Sequence, residues 1–269
     1  MQYIKSLTRA GTVFLTGSLI FLFLLFVTVP LISLFTRISA GDIWAALTSQ
    51  SALDALMLSA TTALVATGIV VLFGTPLAYI NARVTYPGRN IVDTITDLPI
   101  VLPPTVAGLA LLTAFGANGL LGQYFSLFGI KIAFTTTAVV IAQVFVASPF
   151  YIRQARSSFE AVSVEYEYAS RTLGAGLITT FFRVTLPLAA GSLLSGVVMT
   201  FARALGEFGA TMMFAGNLPG KTQTMPLAIY GEMQNDMAVS IALAIVLVVF
   251  SFVVILLMKY IGTTERKYA

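Results

Sequence analysis

Cysteine and histidine are both missing from the 269 residues. Their absence removes thiol chemistry, disulfides and the commonest metal ligands together, and with them any inference about redox compartment. Charge is scarce too: 10% of the residues are Asp, Glu, Lys or Arg and 58% are apolar, where a soluble domain carries roughly 25% charged residues. The mean hydropathy of +0.93 describes a chain whose main solvent is lipid. The carboxylates that remain do not converge. Asp54, Asp93 and Asp97 fall near the ends of apolar runs, and no acid–base pair able to run hydrolysis emerges.

What is abundant is long uncharged sequence. Residues 10–36, 55–82, 98–130, 132–152, 184–202 and 237–258 contain no Asp, Glu, Lys or Arg. Each can hold a helix of the roughly 20 residues that cross a bilayer core. The expected fold is an all-α polytopic membrane protein with six transmembrane helices in a single domain over residues 1–269. The spans are expected at about 11–35, 56–80, 98–116, 133–152, 187–215 and 237–260, with residues 153–186 outside the bilayer. The first run is preceded by Lys5 and Arg9 as a secretory signal would be, but it is about twice the length of a signal h-region and reads as a retained helix.

The cations give the orientation. With the N-terminus inside, the inner segments hold Lys5, Arg9, Arg83, Arg89, Arg153, Arg156, Arg171, Arg183, Lys259, Arg266 and Lys267, and the outer ones Arg37, Lys131 and Lys221. Eleven against three, with Arg203 left inside a span, implies that both termini are cytoplasmic. The net charge of +4 is a signature of topology, and nucleic acid is not an expected partner. The same count disposes of a nucleotide loop at "AGNLPGKTQT", residues 215–224. Its glycine spacing misses G-x-x-x-x-G-K-[ST] by one residue, and Lys221 falls on the outer side, in a segment whose Asn217, Pro219 and Gly220 are turn formers.

Two stretches stand out. In "DLPIVLPPTVAGLALL", Pro99, Pro103 and Pro104 crowd the entry to the third span. Consecutive prolines remove backbone donors, and freed carbonyls in lipid must be buried in protein or line a wet cavity. A helix start, where proline is tolerated, is an equally good reading, and the two are compatible. Pro149 is expected to bend the inner end of span four. The other stretch is the long inner segment after span four, where "VEYEYASRTLGAG" reads as a short helix ended by Gly174 as a left-handed cap. About thirty structured residues are more than a turn between two spans needs.

At these residues the chain resembles the binding-protein-dependent permeases of ABC importers, whose signature is E-A-A, three residues, G, nine residues, I-x-L-P. Here the frame is Tyr168, Ala169, Ser170, then Gly174, then Val184-Thr185-Leu186-Pro187, with the glycine-to-proline spacing intact. Tyr168 stands at the signature glutamate, with Glu167 just before it, and Ser170 at the second alanine. More narrowly, "PIVLPPTVAGLALL" and "FARALGEFGATMMFAGNLPGKTQTMPLAIY" are similar to the molybdate and tungstate permeases, relatives of the sulfate permeases.

The resemblance implies a homodimer, two cytoplasmic ATPase subunits and an extracytoplasmic oxyanion-binding protein. It also implies no cofactor in this chain, since ATP and Mg would bind the ATPase. The helix around Glu167, Tyr168, Ala169, Ser170, Arg171 and Leu173, capped by Gly174, would be the coupling helix. Tyr168 and Leu173 would supply its apolar anchors, and Glu167 and Arg171, four apart on one face, its polar rim. An intrahelical salt bridge is the plain alternative for that pair. Pro103, Pro104, Thr105, Gly108, Arg203 and Glu207 are candidates for the translocation path. Arg203 and Glu207 are again four apart, so mutual pairing inside the dimer competes with contact to the anion. An ion-coupled secondary transporter would share the composition and the broken helix, but few intramembrane carboxylates are available for a proton relay.

Overall fold

The computed structural model describes the backbone of residues 2–265 and the side chains of residues 15–258 and 260. The side chains of Lys5, Arg9, Lys259, Arg266 and Lys267, used above for orientation, lie outside the described residues. No strand occurs among the described residues, as expected where every backbone polar group must be satisfied within its own segment. The chain opens with α1 (Gln2–Thr36), α2 (Ala40–Thr48), α3 (Gln50–Arg83), α4 (Arg89–Val101) and α5 (Pro104–Phe115). It continues through α6 (Gly122–Leu127), α7 (Thr136–Glu160), α8 (Val164–Thr172) and α9 (Leu177–Thr180). A π turn (Phe181–Thr185) leads into α10 (Leu186–Leu205), followed by α11 (Gly209–Ala215), α12 (Met225–Asn235) and α13 (Met237–Glu265).

Among the described residues, five stretches are long and apolar enough to cross a membrane: Leu15–Thr36, Gln50–Arg83, Thr136–Glu160, Leu177–Leu205 and Met237–Met258. A sixth is obtained if α4 and α5, bent by 116° at their junction, count as one broken span. The break sits at Pro103 and Pro104, where the chain turns sharply, and the prolines start a helix there, Pro104 being the first residue of α5. The fifth span differs from expectation at both ends. It begins at Leu177 rather than near 187, because α9, the π turn and α10 run on from one another past Arg183. It stops at Leu205, since residues 206–208 break the helix and α11 forms a separate element. α7 continues through Pro149 to Glu160, so the connector around α8 shrinks from 153–186 to 161–176. The segment at 215–224 is the expected turn, with Gly216 and Gly220 at positive φ (+74° and +69°). α12 follows it, where the sequence reading had only loop.

Packing centres on α7, with α3 and α10 lying along it. The buried face of α3 is a row of small residues at helical spacing: Ala52, Ala55, Ser59, Ala63, Ala66, Val70, Gly74 and Ala78. Lipid tails are as apolar as leucine, so helices in a bilayer associate by close backbone approach, and small residues allow it. Where the three helices meet, Tyr151 of α7 is buried and its hydroxyl lies 2.6 Å from Thr75 Oγ1. α1 is different. None of the 18-residue window that qualifies it as a span is buried, and it touches α13.

Candidate functional site

α8 is built by local signals. Ser163 caps its first turn, accepting the Glu165 N–H. Its last turn closes with the paired bonds of a left-handed cap: Gly174 N–H donates to Arg171 O (3.0 Å) and Ala175 N–H to Ser170 O (3.2 Å). Gly174 has φ +90°, as the sequence led us to expect. No atom lies within 4 Å of where a Cβ would be, so the requirement for glycine there is conformational rather than steric. Gly174→Val is therefore expected to cost about 1–3 kcal/mol locally, and Gly174→Asn much less. Hydrogen exchange of the amides at 170–175 checks this; protection equal to wild type in the valine variant would contradict it.

The side of α8 opposite the buried Glu167 is mixed, with Glu165, Ala169 and Thr172 exposed there and a tyrosine on each flank. Tyr166 is 58%, Tyr168 62% and Leu173, just past the last turn, 89% exposed, whereas the exposed Leu177 and Ile178 of α9 line a cavity with Val71, Tyr79 and Leu193. Ala169 and Arg171 are exposed as well, while the Ser170 hydroxyl turns back to Thr180 Oγ1 at 3.2 Å.

Glu167 corrects the sequence reading. It is buried, and no salt bridge joins it to Arg171 among the described residues. Its Oε1 instead accepts Arg83 Nε at 2.9 Å and the Thr185 hydroxyl at 3.0 Å, and its Oε2 accepts the Tyr79 hydroxyl at 3.2 Å. The physical reason is that Arg83, at the end of α3, offers a charged donor to the inner face of α8. An i,i+4 argument confined to one helix cannot see a partner 84 positions away. The same Arg83 donates through Nη2 to Val162 O at 2.9 Å.

Further ion pairs fasten α4 to α7: Arg156 to Asp93 at 2.7 Å and Arg153 to Asp97 at 2.6 Å. Asn81 of α3, fully buried, donates to Asp93 at 2.8 Å. These arginines were counted only as topological charges in the sequence, and the aspartates only as span ends.

At the broken span, Pro103, Pro104 and Thr105 are exposed and Gly108 is buried. A Cβ on Gly108 would lie 2.6 Å from Met213 Cβ and 2.8 Å from Ala210 O. Gly108 thus belongs to the seam between α5 and α11 and does not line open space in this conformation. Gly209 makes the same kind of approach to Pro104 from the α11 side.

Because Pro103 and Pro104 have no N–H, the carbonyls of Pro99 and Ile100 lose their helical donors. Pro99, Ile100, Pro104 and Arg203 line one small cavity of about 130 Å³. Arg203 Nη2 pairs with Glu207 Oε2 at 2.7 Å, and Glu207, 1% exposed, also accepts the Ala210 N–H at 2.9 Å in the first turn of α11. The pairing is the one expected from the spacing. What the sequence did not reveal is that Glu207 also caps α11, and that Arg203 reaches the proline break.

The chain thus presents exposed tyrosines and a leucine on and just past a short helix tied to the ends of its spans, and a broken span beside a small cavity that an arginine lines. Residues 71–267 match the family described as binding-protein-dependent transport system inner membrane component. The molybdenum transport system permease protein ModB of Mycobacterium tuberculosis is 42% identical over 233 residues, 87% of this chain and 88% of that protein. The sulfate transport system permease protein CysT of Salmonella typhimurium is 35% identical over 260 residues, 96% of this chain and 93% of that protein. Among solved structures, a bacterial ABC transporter that imports the acidic polysaccharide alginate covers 98% of this chain and 99% of its own at a TM-score of 0.71, and its 16% identity makes that a likeness of fold. With the family match spanning well over half its length and close relatives over most of it, this multi-pass membrane chain belongs to the binding-protein-dependent inner membrane permeases of ABC transport systems.

Proposed function

We propose that the chain is the transmembrane permease of an ATP-driven importer that moves molybdate or tungstate into the cytoplasm. In this reading two copies form the pathway. ATP and Mg are bound by two separate ATPase subunits on the α8 side, and an extracytoplasmic binding protein delivers the oxyanion on the opposite side. The observation that carries it is Leu173, exposed at the end of a capped helix that has Tyr166 and Tyr168 exposed on its two flanks, at the position of the family signature. A leucine left 89% exposed outside the membrane-spanning stretches is a natural anchor for a partner's groove. The choice of oxyanion is supported by the ModB relative at 42% identity against 35% for the sulfate permease CysT. Sulfate is the second reading, because CysT matches more of the chain.

Both termini cytoplasmic is supported by the cation asymmetry. Along the path, Thr105 offers a hydroxyl without fixed charge. The Arg203–Glu207 pair keeps a cation at the break while cancelling much of its field, as suits a site that must release its cargo. Coexpression with the ATPase of the same transport system tests the assembly. Affinity capture of the chain is expected to recover the ATPase at one copy per permease in a two-plus-two complex; a permease that purifies alone, or carries a single ATPase per dimer, contradicts it.

A further inference from the structure

We propose that the Arg83–Glu167 pair is a positioning node that makes α8 move as one body with α3 and the start of the fifth span. Displacement of α8 then becomes displacement of the spans rather than flexing of the 161–176 connector. The proposal rests on the reading of α8 as the docking helix and adds how its motion is transmitted.

Three elements far apart in sequence meet on one carboxylate. Glu167 comes from α8, Arg83 and Tyr79 from the end of α3, and Thr185 from the π turn that opens the fifth span, all within 3.2 Å of a Glu167 oxygen. The node is nearly closed to water, with both charged side chains 11% exposed. Around it, the Tyr79 ring stands edge-on to Phe159 at the end of α7 (centroids 5.4 Å apart) and to Phe181 of the π turn (4.9 Å). The ends of all three packed spans are thereby gathered behind α8.

The π turn is part of the device. Pro187 cannot donate a backbone N–H, and Leu186 N–H reaches back five residues to Phe181 O. The widened turn carries the buried Thr185, whose hydroxyl meets Glu167. π turns of this kind recur at functional positions in helices.

A buried ion pair is a poor device for stability alone, because desolvation offsets most of its attraction. It is a good one for registry, since its charge-assisted bonds hold only at one geometry. α8 is short, and besides the Glu167 node its ties to the rest of the chain are the Ser170–Thr180 contact and the Arg83 bond to Val162 O just before it. Only an element whose position differs between two states can pass on a bias from one to the other, and a loosely hinged α8 would absorb the ATPase movement itself.

The test uses the full complex of permease, ATPase and binding protein in proteoliposomes, comparing Glu167→Gln, Arg83→Lys and the reciprocal pair Arg83→Glu with Glu167→Arg. The readout is molybdate taken up per ATP hydrolysed. Glu167→Gln is expected to lower that ratio at least tenfold while ATPase recovery and hydrolysis rate stay within twofold of wild type. Arg83→Lys should fall between, and the reciprocal pair should regain at least a third of the wild-type ratio. An unchanged ratio in Glu167→Gln would overturn the node, and so would loss of ATPase from the complex, which would put Glu167 in the docking contact itself. If wild type moves no molybdate or sulfate, the transport reading fails and the node is judged separately. Amide exchange over 164–172 in the detergent-solubilised complex should rise at least tenfold in Glu167→Gln with α3 at 60–75 unaffected, and equal protection would overturn it.

Discussion

Leu173→Asp is expected to reduce recovery of the ATPase with the permease at least tenfold, and ATP-driven uptake with it, while the permease still inserts and purifies as a monodisperse protein. Leu173 is 89% exposed, so the change removes little packing within the chain and leaves the left-handed cap at Gly174 intact. Burying a leucine in a partner's groove contributes about 1.5–3 kcal/mol. The aspartate forfeits that and must also be desolvated or expelled, so tenfold, about 1.4 kcal/mol, is a lower bound. Tyr168→Ala should follow with a smaller loss. Recovery of the ATPase at wild-type yield in Leu173→Asp would mean that the end of α8 at Leu173 is not where the ATPase sits.

The second large effect is on the molecule itself. Gly108→Val should destabilise the permease severely and abolish transport, whereas Thr105→Val, three residues away on the same helix, should leave stability within about 0.5 kcal/mol. A Cβ at 108 meets Ala210 O at 2.8 Å and Met213 Cβ at 2.6 Å. The first of these is backbone, which cannot rotate out of the way as the end of a flexible side chain can. Overpacking of this kind typically costs 1–3 kcal/mol or more. Here it would also push α11 off the Glu207 carboxylate that caps it and disturb the Arg203 pair at the proline break. Thermal unfolding in detergent with parallel uptake checks it, and a Gly108→Val protein as stable and active as wild type would show that the seam between α5 and α11 is not fixed.

The sequence made legible what depends on local rules. Uncharged runs gave the spans, because lipid forbids unpaired charge. Gly174 gave the end of α8, because only glycine adopts φ +90° freely. The i,i+4 spacing gave the Arg203–Glu207 pair. What stayed hidden depends on contacts between distant elements. Glu167 had a good partner four residues on in Arg171 and another 84 residues back in Arg83; only the fold decides that the second is near. Gly108 looked like a path residue because it follows the proline break, but its neighbour α11 was read as the tail of the fifth span. The start of that span was misplaced because Arg183 in the π turn was taken as a boundary, although the helical run is continuous from Leu177 to Leu205. Asp93 and Asp97 looked idle for the same reason, since their arginines lie on α7.

The most direct test of the central claim is uptake itself. Proteoliposomes containing this permease, its ATPase and its binding protein, loaded with ATP on the α8 side, are expected to accumulate labelled molybdate against a gradient. Uptake should be blocked by excess tungstate, reduced little by sulfate and unaffected by phosphate, and absent when the ATPase cannot hydrolyse ATP. Accumulation that persists without ATP hydrolysis and follows an ion gradient would contradict the account and make the chain a secondary transporter.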